Sequence, residues 1–81
     1  MDALVWSDSH IHDDSQYDRI EAFLDYVDEV KPRLFILNGD IGDPWKAPWE
    51  DILQTRTWRR LKATCARRDE LGLYTPWILA N

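Results

Sequence analysis

The sequence predicts an α/β fold, a β-α-β-α-β half of a layered domain in which parallel strands alternate with flanking helices. Three observations predict it. Short apolar runs of strand length occur at residues 3–6, 34–37 and 74–80. The two stretches between them carry apolar residues at helical spacing. Each of those stretches is long enough to return the chain to the same sheet edge, as a parallel connection requires. Three layers are therefore expected, with helices covering the sheet.

The first strand, Ala3, Leu4, Val5 and Trp6, runs straight into SDSHIHDDSQ, a polar stretch with few helix formers that reads as a loop. From Asp14 onward, Tyr17, Ile20, Phe23, Leu24, Val27 and Val30 fall on one helical face and Asp18, Arg19, Glu21, Asp25 and Asp28 on the other. Asp14 or Ser15 is placed to cap the amides that the first turn leaves free, and Pro32 closes the helix. Leu34, Phe35, Ile36 and Leu37 form a continuous apolar run, the pattern of a central strand buried on both faces.

The stretch GDIGDPWKAPWED mixes glycines and prolines with charges, so it reads as a loop, ordered by packing of Trp45 and Trp49. A second helix is expected from Trp49 or Gln54 to Leu71, with Ile52, Leu53, Trp58, Leu61 and Cys65 inward and Gly72 at its C-terminal end. Its basic residues, Arg56, Arg59, Arg60, Lys62, Arg67 and Arg68, read as a solvated face. The last strand leads to Asn81.

With 81 residues, no internal repeat and no linker, residues 1–81 are expected to form a single unit or a piece of one. A 44% hydrophobic share with five Trp suffices for a core. The net charge of −5 gives no general attraction to nucleic acid or to an anionic membrane. Cys65 is the only cysteine, which excludes an intrachain disulfide and a thiolate zinc cluster. No apolar stretch has the length of a signal peptide or membrane span, so a cytoplasmic location is expected.

Ligands of parallel sheets gather where strands end at their carboxyl edge. Asp8-Ser9-His10 follows the first strand, Gly39-Asp40-Ile41-Gly42-Asp43 the second and Asn81 the third. Neighbouring parallel strands lie about 4.8 Å apart, so groups at their ends can share one ion or a pair of ions about 3.5–4 Å apart. Carboxylates with an imidazole suit divalent transition metals. D-x-H alone is a frequent chance match, but followed in order by G-D-x-x-D after an apolar strand it points to a metal site.

Asp8-Ser9-His10, then Gly39-Asp40-Ile41-Gly42-Asp43, then Asn81 after TPWILA resemble the opening half of calcineurin-like metallophosphoesterases, over the whole chain. LFILNGDIGDPW is similar to the corresponding segment of the UDP-2,3-diacylglucosamine pyrophosphohydrolase branch. The resemblance implies hydrolysis of a phosphate ester by water activated between two divalent metal ions, such as Mn2+, Fe2+ or Zn2+. It implies Asp8 and His10 on the first ion, Asp40 bridging both, and Asn81 on the second. Ala80 stands where the family carries Gly before that Asn, and the family's later histidines are missing, His10 and His12 being the only two. The chain is therefore expected to hold part of the site, to continue beyond Asn81 in the native protein, and to turn over poorly by itself.

Asp43 is expected to orient a ligand by hydrogen bonding or to cap the turn before Pro44. His12 reads as a surface histidine, and Asp13 and Asp14 as loop or capping residues. Trp45 and Trp49 can stack on a base or sugar, though packing of the loop is the simpler role. Two other readings compete. His10-Ile11-His12 also fits an amidohydrolase or TatD-type barrel, which would have to ignore G-D-x-x-D. A non-catalytic binding or regulatory module could keep the same scaffold. A three-stranded piece leaves a sheet edge and an apolar face open, so a homodimer or other association is expected to cover them.

Overall fold

The computed structural model describes residues 1–78 and gives six elements: β1 (Ala3–Trp6), α1 (Tyr17–Val30), β2 (Leu34–Asn38), α2 (Trp49–Ile52), α3 (Arg56–Glu70) and β3 (Trp77–Ile78). The sheet is parallel in the order β1-β2-β3, with Ala3 opposite Leu34, Trp6 opposite Leu37 and Ile78 opposite Asn38. β2 is the central strand, as expected. An isolated parallel bridge between Leu34 and Tyr74 extends the pairing towards the start of the expected third strand, whose last residues, with Asn81, lie outside the described residues.

Side chains alternate across a strand, so the register sorts them into two faces. Leu4, Trp6, Phe35 and Leu37 face the helices, and Phe35 and Leu37 are fully buried. They meet Ile20, Leu24 and Val27 of α1 and Trp58 and Leu61 of α3 in one core. Trp6, Phe23 and Phe35 form an aromatic cluster with centroids 5.0–6.2 Å apart. Truncating a fully buried member such as Leu24 to Ala is expected to cost about 2–5 kcal/mol.

The expected third layer is absent among the described residues, where helix and sheet form two layers. Two successive right-handed crossovers that advance in the same direction put both helices on one face, and α1 and α3 do pack together. The opposite face stays open: Val5, Tyr74 and Ile78 are exposed and Leu34 and Ile36 only half-buried. β2 is thus fully buried on one face, not both.

The expected second helix is two helices. Thr55 breaks it, and its hydroxyl accepts from the Trp58 amide at 3.0 Å as the N-cap of α3. Leu53 falls in this break and is exposed instead of inward. Neither Asp14 nor Ser15 caps α1, whose N-cap is Gln16 without a side-chain hydrogen bond. Asp14 caps α3: its carboxylate accepts from the Thr57 amide at 2.9 Å, the Thr57 hydroxyl at 2.8 Å and the Arg56 amide at 3.3 Å.

The basic face is not simply solvated. Arg60 reaches Asp25 at 2.6 Å and Asp28 at 3.1 Å, and Arg67 reaches Asp28 at 2.6 Å, which clamps α3 to α1. Arg68 is 2% exposed and donates to the carbonyls of Pro32 and Tyr74 at 2.8 and 2.9 Å and to the Thr75 hydroxyl at 2.7 Å. One side chain thereby ties α3 to the segments that enter β2 and β3.

Candidate metal centre

Strand pairing does not stop where β1 and β2 end. The amides of His10 and Ile11 donate to the carbonyls of Asp40 and Ile41 at 3.0 and 2.8 Å, and the Asp43 amide donates back to Ile11 at 2.9 Å. The Ser9 hydroxyl, buried, donates to the Ile41 carbonyl at 2.8 Å. These bonds zip the D-x-H loop to the G-D-x-x-D loop. Ser9, Ile11 and Ile41 are buried and anchor them, which leaves Asp8, His10 and Asp40 towards solvent.

The backbone reinforces this arrangement. Asp8, His10 and Asp40 have φ of 59°, 51° and 50°, and the one other non-glycine residue with positive φ among the described residues is Lys31, at the end of α1. Left-handed conformations disfavour residues with a Cβ and persist where the surroundings enforce them. Gly39, at φ 69°, precedes Asp40 and supplies the first step of the turn without that penalty.

One ligand atom from each of Asp8, His10 and Asp40 can be chosen so that all lie within 4.8 Å of one another. His10 Nε2 is 3.8 Å from Asp8 Oδ1, and His10 Nδ1 is 3.4 Å from Asp43 Oδ2. Opposed ligands of one divalent ion lie about 4 Å apart at metal–ligand distances of about 2.0–2.2 Å. Small side-chain rotations therefore suffice to close the three onto a cation. Two carboxylates and an imidazole are the donor set that hard or borderline divalent metals take, so the residues fit the group.

Asp43 is 7% exposed, and its Oδ1 accepts from the Trp45 amide at 3.2 Å. Oδ1 thereby holds the turn around Pro44, while Oδ2 faces the His10 ring. Trp45 itself is 96% exposed and does not order the loop, which is held instead by the Ile11 pairing, buried Ile41 and the Asp43 turn. Trp49 does pack, edge-on to Trp58 at 5.7 Å.

His12 is not among the clustered side chains. Its Nδ1 is 3.0 Å from the His10 carbonyl and its Nε2 3.3 Å from the Asp13 carboxylate, and its side chain is 21% exposed, so it is less a surface residue than expected. The cluster thus joins His10 to carboxylates and does not include His12. Asn81 lies outside the described residues.

Reading the sequence missed Ser9 and Ile11 as the anchors of the site. Only Ile11, a lone apolar residue inside a polar loop, was a signal in the sequence; the burial of Ser9, a polar side chain, follows from its long-range bond to Ile41 and could not be read locally.

A cleft of about 490 Å3, lined among others by His10, Asp40, Asp43 and Trp45, gives a ligand access to the cluster. Comparison with curated proteins and with solved structures finds no match. The sequence model of the calcineurin-like phosphoesterase family matches residues 1–80, nearly the whole chain, and so covers both loops that carry the cluster. With its parallel sheet and paired loops described, the chain belongs to the calcineurin-like phosphoesterase family.

Proposed function

We propose that the chain carries one part of a dinuclear metal centre for hydrolysis of a phosphate ester. Asp8 and His10 would hold the first divalent ion, Asp40 would be shared between both, and Asn81 would be one ligand of the second. Asp43 is a positioning residue that fixes the His10 ring. The observation that carries this reading is the meeting of Asp8, His10 and Asp40 at the end of two zipped strands. Membership of the family supports it.

When bound, the metal ions supply an acidified water and positive charge for the phosphate oxygens. The chain's own residues hold the ligand geometry rigid, through the Ser9 and Ile11 anchors, and keep the imidazole oriented through Asp43. They include no histidine besides His10 and His12, so the remaining ligands and a group to assist the leaving oxygen come from outside these residues. The single cysteine fits a reducing, cytoplasmic setting, and residues 1–81 act as one unit.

Calorimetric titration with Mn2+ tests the centre directly. Binding is expected, with affinity at least about tenfold weaker in Asp40→Ala, because a shared carboxylate is removed. Hydrolysis of an aryl phosphate or phosphodiester by these 81 residues alone is expected to be negligible. Equal Mn2+ affinity in Asp40→Ala, or vigorous turnover with a chelator present, would overturn the proposal.

A further inference from the structure

Beside the cluster, on the helix side of the sheet, lies a second cavity of about 320 Å3 whose walls include Leu37, Asp40, Gly42, Trp49, Trp58 and Trp77. The three tryptophans are continuous: Trp58 meets Trp49 at 5.7 Å and 73°, and Trp77 at 5.7 Å and 47°. Trp58, the middle ring, is 9% exposed, while Trp49 and Trp77 are 46% and 37% exposed. The wall is fitted closely. A Cβ at Gly42 would stand 2.6 Å from the Trp49 ring, so only glycine lets the ring lie against the loop that bears Asp40.

Asp40 belongs to both features. Its carboxylate joins Asp8 and His10 in the candidate metal centre, and the residue is also part of the wall of the tryptophan cavity. A phosphoryl group held at the metals would therefore place its ester substituent at this cavity. We propose that the cavity binds a planar aromatic ring on the alcohol side of the phosphate ester. This deepens the proposed function and rests on it.

The chemistry favours a ring over other substituents. Tryptophans inclined to one another offer a ring both faces and edges, the geometry aromatic pairs prefer. The volume sits at the small end of ligand pockets, about 300–1,000 Å3, enough for one or two fused rings but short for a long acyl chain. Apart from Asp40, the side chains named in the wall are apolar. Recognition therefore rests on stacking and shape, and an aryl group and a nucleobase share the chemistry.

The test uses the full chain with Mn2+ and non-hydrolysed probes, measured by calorimetry. Phenylphosphonate is expected to bind about tenfold more tightly than methylphosphonate, the scale of one stacked ring. Trp77→Leu and Trp49→Leu, at partly exposed rings, are each expected to shrink that ratio severalfold while methylphosphonate binding holds. Adenosine monophosphate against phenylphosphonate separates a nucleobase from a simple aryl group, and tighter binding of either supports the proposal. Equal binding of phenyl- and methylphosphonate overturns the cavity's role and leaves the metal centre standing. Phosphocholine binding more tightly than phenylphosphonate also overturns it, because the walls would then select a cation. Should Mn2+ itself fail to bind, benzyl alcohol is followed by its shifts of the indole N–H resonances: shifts at Trp49, Trp58 and Trp77 support the cavity, and their absence overturns it.

Discussion

Asp40 combines a left-handed backbone at φ 50° with a side chain in the metal cluster, and the two demands can be separated by substitution. A Cβ in this region costs roughly 1–2 kcal/mol relative to glycine, whereas Asn tolerates it well. Asp40→Gly is thus expected to raise the stability of the metal-free protein by about 1 kcal/mol over Asp40→Ala, with Asp40→Asn between them. Urea unfolding in the presence of a chelator measures this ranking. If Asp40→Gly is no more stable than Asp40→Ala, the strained turn contributes nothing and the site is held by its anchors alone. The residue types were legible in the sequence, because D-x-H and G-D-x-x-D stand directly after apolar runs. Their backbone conformation was not, since φ is imposed by pairing between loops far apart in the chain.

Elements were legible where hydrophobic period decides them and illegible where long-range capping does. The periodic face of α1 and the apolar run of β2 appear where Leu24, Val27, Phe35 and Leu37 predict them. The break at Thr55 and the role of Asp14 depend on a contact between the first loop and α3 that no local pattern encodes. For Asp14, burial alone pushes the carboxyl's pKa up, but hydrogen bonds from Thr57 and Arg56 and the Arg56 charge outweigh it. The net pKa lies below the ordinary 3.8. A depressed folded value means that this stability is fully present above about pH 4 and is lost as pH falls through the folded value. Asp14→Ala is expected to cost about 1 kcal/mol near neutrality, the worth of a helix cap, and to make unfolding less steep in acid. Denaturant midpoints from pH 7 down to about pH 3 check both, and a constant difference across that range would exclude the carboxylate as the cause. Arg68 makes a second element-scale case. Arg68→Met would leave the buried Pro32 carbonyl and two partly buried acceptors without their donor and is expected to cost about 3 kcal/mol. A thermal shift of less than about 4 °C would show that solvent replaces those bonds.

At the scale of the molecule, strand order was legible and layer count was not. Alternating elements imply parallel strands, but the face each helix takes follows from the direction of successive crossovers, and here both advance the same way. The consequence is an apolar sheet face carrying Val5, Leu34, Ile36, Tyr74 and Ile78, with no ionisable side chain but that of Tyr74 among these. Both edge strands, β1 and β3, are also without a further neighbour among the described residues. A second copy of the chain meets such a face with identical apolar side chains, and the opposing force is the repulsion between two molecules of net charge −5. Salt screens that repulsion over about 10 Å at 0.1 M and about 3 Å at 1 M while leaving apolar burial intact. Self-association of these 81 residues is therefore expected to strengthen with salt, the reverse of an ion-paired interface. Val5→Lys, on an exposed strand position, is expected to weaken it at least about tenfold without loss of fold, since a charge would have to be buried without a partner. Sedimentation velocity at both salt levels, with circular dichroism of the variant, decides the matter. A chain that stays monomeric at about 100 μM in 1 M salt, or a Val5→Lys protein that associates as strongly as the parent, would mean that this face is not where two copies meet.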